Sequence, residues 1–310
     1  DLPHPSGFNL SARLTFPPNF DANKKYPVLL TPYGGPGSQE VKKKFIAPGP
    51  SSFITANHEL GYVTFAVDNR GTGRRGRAFR NQYYKNAGVV DPEDQIWAAS
   101  WLIKNNPWVD ADRVGIWGWS NGGYLSAKVV ELDTQGVISF AIATAPTSDF
   151  RLYDSIYSER YLGSLQDNKA VYDRASIRNA TNFKNIAGGV LLQHGTADDN
   201  VHFAHTVAIV ELLMSAGVPP QKLRSQFFPD SDHNIAFENQ QVFLFRQLAL
   251  MLMEQKIRVI HPKIQYAWDS YDFESRMDEE LHIGPMSEMH NVLLDRDEEE
   301  DMSLGGSFFG

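Results

Sequence analysis

The stretch VGIWGWSNGGYLSA, residues 114–127, decides how this chain is read. Val114 to Trp117 is a short apolar run of the kind that forms a buried strand, and Gly123 to Leu132 follows with helical spacing. Between them, Gly118-Trp119-Ser120-Asn121-Gly122 fits the pattern G-x-S-x-G. The pattern has a steric origin. A serine at a tight strand-to-helix turn sits in strained backbone geometry, and glycine is needed two positions before and after it for close approach. The turn lifts the hydroxyl above the sheet and sets it at a helix N-terminus, where free amides can bind developing negative charge. Many unrelated loops contain the pentapeptide alone, but the strand before it and the helix after it make Ser120 a candidate nucleophile. Ser126, farther along, reads as an ordinary helical serine.

On either side of this segment strands and helices alternate. Asn9 to Phe16 places apolar Leu10, Ala12, Leu14 and Phe16 at every second position, the period of a half-buried strand, and Pro17-Pro18 stops it. Tyr26 to Leu30 and Gly61 to Val67 are continuous apolar runs, as strands covered on both faces require. The first leads into the turn Tyr33-Gly-Gly-Pro-Gly37, the second into the loop DNRGTGRRG. A helix is predicted from Asp91, whose side chain can cap the free amides, with Pro92 in the first turn and Glu93 and Asp94 at the positive end. Ile96, Ala99, Ile103 and the ring of Trp97 or Trp101 are its expected buried stripe. Ile138 to Ile142, Val190 to Leu192 and Ser225 to Phe228 supply further strands; His205 to Ala216 and about Glu238 to Lys256 read as helices. Such alternation implies a mostly parallel central sheet with helices on both faces, and the serine turn makes it an α/β-hydrolase fold.

In that fold the residues completing a catalytic triad follow the serine in the order acid, then histidine, each on a loop after a strand. Val190 to Leu192 runs into a loop bearing Asp198 and Asp199, and Phe228-Pro-Asp-Ser-Asp-His233 follows the last strand. His233 can take the proton from Ser120 and return it to the leaving amine, and a carboxylate holds the imidazole in the right tautomer. Spacing does not separate Asp198 from Asp199. Asp230 and Asp232 share the loop of His233 and are poorly placed to orient it. His194 precedes the carboxylate, the wrong order, and reads as structural. His202 and His205 have a spacing that metal ligands can use, but no matching third ligand stands out, so no metal is expected. His4, His58, His261, His282 and His290 read as surface residues.

Composition bounds the rest. With 310 residues, 42% hydrophobic and 12% aromatic, the chain can bury a large core. Cysteine is absent, which excludes a thiol nucleophile and any disulfide. The net charge of −8 is unevenly placed: from Asp269 onward 13 acidic residues face only Arg276 and Arg296. A near-neutral body, residues 1–260, is therefore expected to carry an acidic, poorly ordered tail, residues 261–310, with Trp268, Tyr271 and Phe273 as a less favoured docking segment. Neither part offers the clustered basic surface that nucleic acid needs.

The strings TPYGGPGSQ, WGWSNGGY, LYDSIYSERYLG and HGTADDNVHF, all present in the family's order, closely resemble the dipeptidyl peptidase IV branch of the prolyl oligopeptidase family of serine peptidases. The likeness runs from about Phe8 to Arg258. The resemblance implies a serine-type exopeptidase cutting after proline or alanine through an acyl-enzyme, with no cofactor, and it assigns Ser120, Asp198 and His233 as the triad. It implies that the Tyr33 hydroxyl and the Asn121 amide form the oxyanion hole, and that Tyr153 and Tyr157 line a proline-sized S1 pocket. Asn200 corresponds to the asparagine that binds the substrate carbonyl before the cleaved residue, and Val201 to a pocket wall. Three positions depart from the branch: Asn121 stands for tyrosine, Phe150 for tryptophan and Thr147 for valine. A more open or more polar S1 pocket is expected.

The resemblance also places a β-propeller, with the glutamates that hold the substrate's amino terminus, and in many relatives a membrane anchor, upstream of such a domain. Peptide substrates are the expected partners, and homodimerisation is implied. Asn9-Leu-Ser and Asn179-Ala-Thr fit N-glycosylation sequons, which suits a luminal or extracellular glycoprotein, in the secretory pathway, the vacuole or outside the cell. A broad esterase or peptidase, or an inactive fragment, is the alternative should the substrate gate be missing.

Overall fold

The computed structural model of this protein describes residues 1–44, 54 and 60–260. The acidic tail expected over 261–310 lies outside the described residues, as do Trp268, Tyr271 and Phe273 within it and His58, His261, His282 and His290. Asp1–Lys263 is one compact unit.

Among the described residues eight strands form one sheet: β1 (Leu2–Pro3), β2 (Asn9–Thr15), β3 (Tyr26–Leu30), β4 (Val63–Asp68), β5 (Val109–Trp119), β6 (Phe140–Thr144), β7 (Val190–Gly195) and β8 (Leu223–Phe228). Their spatial order is β1-β2-β4-β3-β5-β6-β7-β8. β2 pairs antiparallel with both β1 and β4, and every other pairing is parallel, so the α/β-hydrolase architecture predicted from alternation is present. The helices among the described residues are α1 (Gly76–Arg80), α2 (Val90–Asn105), α3 (Asn121–Leu132), α4 (Ser155–Leu162), α5 (Lys169–Ala175), α6 (Thr181–Asn185), α7 (Ala204–Ser215) and α8 (Gln240–Ile260). None is long and apolar enough to cross a membrane.

The two-residue period of a strand splits the core across the sheet. Val28, Leu30, Val114, Ile116, Ala141, Ala143, Val190 and Leu192 join the larger core together with residues of α2, α3 and α7. Their neighbours Leu29, Trp117, Phe140, Ile142 and Leu191 face the other way and pack with Leu248, Met251 and Leu252 of α8. Both faces are covered, so these strands carry apolar residues without alternation.

Two expectations for α2 need correction. The helix starts at Val90, and Asp91 does not cap it; the buried carboxylate instead accepts the Gly88 amide through Oδ1 at 2.7 Å. The buried stripe is also different: Asp91, Asp94, Gln95, Ala98, Ala99 and Leu102 face inward, while Ile96, Trp97, Trp101 and Ile103 stay half-buried. Polar partners inside the core explain the inversion. Arg70 donates to Asp94 Oδ1 through Nη2 at 2.6 Å and Nε at 2.9 Å, and Gln95 donates to the Val67 carbonyl and to Asn69 at 3.0 Å each. Burying a polar group costs much less once it is hydrogen-bonded, although Asp91 Oδ2 and Gln95 Oε1 are buried with no partner. His4, expected at the surface, is buried by the same cluster: its Nε2 lies 3.4 Å from Asp94 Oδ1 and its ring meets Trp97 edge-on at 4.6 Å.

Candidate active site

The parallel strands end on one edge of the sheet, and their following loops carry the candidate residues. Ser120 leaves β5 with φ 58° and ψ −119°, a conformation strained for a residue with a Cβ. Its amide donates to the Thr144 carbonyl at 2.9 Å, and its own carbonyl accepts from Tyr124 at 2.9 Å, so sheet and helix both hold the turn. A Cβ on Gly118 would stand 2.3 Å from backbone atoms of Gly122, and one on Gly122 would stand 2.3 Å from the Pro32 carbonyl oxygen. Both motif glycines are therefore steric necessities. Ser126 donates back to the Gly122 carbonyl at 2.8 Å, as a helical serine does.

Asp198, after β7, and His233, after β8, are brought together. His233 Nδ1 lies 2.7 Å from Asp198 Oδ2, while Oδ1 accepts the amides of Asn200 at 3.0 Å and Val201 at 2.8 Å. Burial opposes the charge on Asp198, but hydrogen bonds from His194 and His233 outweigh it and hold the carboxyl well below the usual range. Asp199 is exposed and makes none of these contacts. Asp230 and Asp232 are exposed too; Asp232 accepts the Asn234 amide instead of the imidazole. Trp119, beside Ser120, donates from Nε1 to the His233 carbonyl at 3.0 Å and so ties the histidine loop to the serine turn. Ser120 Oγ itself does not hydrogen-bond His233 within 3.5 Å here; such contacts are often long without substrate and tighten when it binds.

Tyr33 and Asn121 also meet. Asn121 is the first residue of α3, so its amide has no acceptor inside the helix. Its side chain donates to the Tyr33 carbonyl at 2.8 Å. Tyr33 is 40% exposed as a residue, yet local burial raises the hydroxyl pKa, opposed by a hydrogen bond with Ser120.

The aromatic candidates form one wall. Phe150 and Tyr157 stack with centroids 5.9 Å apart and planes at 11°, and Tyr153 meets Tyr157 edge-on at 5.5 Å. Tyr153 donates to Asn200 Oδ1 at 2.7 Å, and burial pushes its hydroxyl up to about 12. The Tyr157 hydroxyl donates to Asn121 Oδ1 at 3.3 Å. Thr147 and Val201 are buried. Sequence reasoning missed Tyr161, which packs edge-on against Tyr157 at 4.8 Å. The i, i+4 spacing of the two tyrosines within one helix was the available signal.

The remaining histidines have other partners. His205 accepts the Ser148 amide at 3.1 Å, and burial lowers its pKa to about 4. His202 accepts the Ala204 amide at 3.1 Å. Among the described residues no group of three or more His, Cys, Asp or Glu side chains is placed to hold a metal ion. His194, read as structural, is buried and touches Asp198 Oδ2 through Nε2 at 3.1 Å.

Residues 51–255 match the family described as "Prolyl oligopeptidase family". The chain is 48% identical over 274 residues to "Probable dipeptidyl peptidase 4" of Aspergillus flavus, covering 88% of this chain and 35% of that protein. It is 48% identical over 252 residues to "Dipeptidyl peptidase 4" of Arthroderma otae, covering 81% and 32%. Among solved structures, Porphyromonas gingivalis dipeptidyl peptidase 4 superposes with a TM-score of 0.73 at 35% identity, over 81% of this chain and 34% of that one. The chain thus spans about a third of the length of the relatives it matches. On the match over residues 51–255 and these identities, the chain belongs to the prolyl oligopeptidase family of serine peptidases, in its dipeptidyl peptidase 4-like group.

Proposed function

We propose that this chain carries the hydrolytic site of an exopeptidase that releases dipeptides by cutting after proline or alanine. The observation that carries the reading is the 2.7 Å contact of Asp198 Oδ2 with His233 Nδ1, on a loop held through Nε1 by Trp119, the residue beside Ser120. A carboxylate at Nδ1 leaves Nε2 free to take the Ser120 proton. The hydroxyl oxygen then attacks the scissile carbonyl, and the tetrahedral oxyanion is received by the Tyr33 hydroxyl and the Asn121 amide. Collapse expels the amine, which takes its proton from the imidazolium. Water, deprotonated by His233, then attacks the acyl carbonyl, and Ser120 Oγ leaves as it takes that proton back from the imidazolium. Each oxyanion donor is worth roughly 2.7–4 kcal/mol of transition-state stabilisation.

Specificity follows from the aromatic wall. Tyr153 and Tyr157 offer flat apolar faces to a small ring such as proline, with buried Phe150 stacked on Tyr157, and Asn200, accepting from Tyr153 through Oδ1, keeps its amide free for a substrate carbonyl. Thr147 and Phe150 favour a pocket that also admits alanine. Both sequon asparagines, Asn9 and Asn179, are exposed, which supports glycosylation in a luminal or extracellular setting. The test is a hydrolysis profile on Xaa-Pro, Xaa-Ala and N-blocked peptide anilides, run on this chain and on a full-length relative. Preference for free Xaa-Pro and Xaa-Ala is the expected result. Equal turnover of blocked substrates and simple esters by both would replace the exopeptidase reading with a broad hydrolase.

A further inference from the structure

His194 is fully buried at the end of β7, and the chemistry above does not use it. Its Nε2 stands 2.8 Å from the Val201 carbonyl oxygen and 3.1 Å from Asp198 Oδ2. Both partners can only accept, so Nε2 carries the proton. Nδ1 lies 2.6 Å from Thr206 Oγ1, and a threonine hydroxyl can donate to it. In this tautomer both ring nitrogens are satisfied, and the ring is held by its own strand, by the loop after it and by α7. His194 and His233 thus share one carboxylate oxygen, while the backbone amides of Asn200 and Val201 occupy the other.

We infer that His194 is a positioning residue for the catalytic pair. By donating to Asp198 Oδ2 and to the Val201 carbonyl it stops the carboxylate from rotating away from His233, and Thr206 sets the tautomer that makes this possible. It touches neither substrate nor reacting atoms. Partners of this kind orient a ligand or base and raise its effectiveness without taking part in the reaction. The inference rests on the reading of Asp198 and His233 as acid and base.

A buried clamp with no catalytic consequence would alter only folding, so the test separates kcat from KM. His194→Leu, His194→Gln and Thr206→Val are made in this chain. Each is assayed on an Ala-Pro anilide and for its rate of phosphonylation by a fluorophosphonate, with circular dichroism to establish folding. His194→Leu is expected to lower kcat and the phosphonylation rate about ten- to a hundredfold, the range of a hydrogen bond to a charged group, with KM near the parent's. His194→Gln, whose amide donates from nearly the same place, should recover most of that loss. A folded His194→Leu with parental kcat, or a glutamine variant as slow as the leucine one, overturns the inference. Where His194→Leu does not fold, Thr206→Val decides, because it keeps the ring and the volume: a lower kcat at unchanged KM supports positioning, and a parental kcat overturns it. Ser120→Ala is the separate control. Phosphonylation that survives in it refutes the nucleophile assignment and leaves the His194 result to stand or fall on its own.

Discussion

Asn121 Nδ2 donates to the backbone carbonyl of Tyr33 at 2.8 Å, so one side chain links the two residues proposed to hold the oxyanion. The same side chain accepts from Tyr157 through Oδ1, which connects the oxyanion hole to the aromatic pocket. Tyr33→Phe should lower kcat by about 10²–10³-fold with little change in KM, since its donor acts mainly on the developing charge. Asn121→Ala keeps the amide but loses both side-chain links. It should lower kcat less than Tyr33→Phe does and raise KM as Tyr157 loses its acceptor. Steady-state kinetics on one Xaa-Pro substrate checks both.

The two adjacent aspartates should behave very differently. Asp198 receives His233 and two backbone amides, whereas Asp199 is exposed. Asp198→Asn is expected to cost about 10⁴-fold in kcat through the wrong imidazole tautomer. Asp199→Asn should leave turnover near the parent's. Equal losses in the two variants would remove Asp198 from its role.

Asp91 sets a pH dependence of stability rather than of activity. Burial, only partly offset by hydrogen bonds from its own backbone amide and that of Gly88, raises its carboxyl from 3.8 to about 7. Between those values the folded chain holds a proton that the unfolded chain has lost, so stability falls as pH rises, by about 1.4 kcal/mol per pH unit. Asp91→Asn still accepts the Gly88 amide and cannot ionise. Urea unfolding at pH 5 and pH 7 should show the parent losing stability across that interval and the variant losing markedly less.

The serine turn leaves no room at Gly122. A methyl group there would press on the Pro32 carbonyl oxygen, a backbone atom that cannot swing aside. Gly122→Ala should therefore lower stability by about 1–3 kcal/mol, read as a lower unfolding temperature, and slow the labelling of Ser120 by a fluorophosphonate. A variant with parental stability and labelling would show that the turn is less constrained than its geometry indicates.

Much of the site was legible before any fold was known, because its signals are local. The elbow needs glycines at two fixed positions, and these surround Ser120 in the chain itself. Apolar runs such as Tyr26–Leu30 and Val190–Leu192 marked central strands, because strands covered on both faces have no polar side to show. The helix from Val90 differs from its sequence pattern at its start and on its buried face, since Asp91, Asp94 and Gln95 face inward beside Ala98, Ala99 and Leu102. Hydrophobic periodicity cannot register a polar side chain whose partner, such as Arg70, comes from another loop.

Chain order and local sterics singled out Ser120 as the candidate nucleophile, the fold class and the two loops expected to supply an acid and a base. Spacing alone left Asp198 and Asp199 equivalent, and only family resemblance favoured the first. Tertiary structure decided that Asp198 turns inward to His233, that His194 stands behind it, and that the rings of Phe150, Tyr153 and Tyr157 share one wall. The physical reason is range. Backbone strain and strand period act over a few residues, whereas a hydrogen bond between positions 35 residues apart exists only once the sheet has set both loops on the same edge.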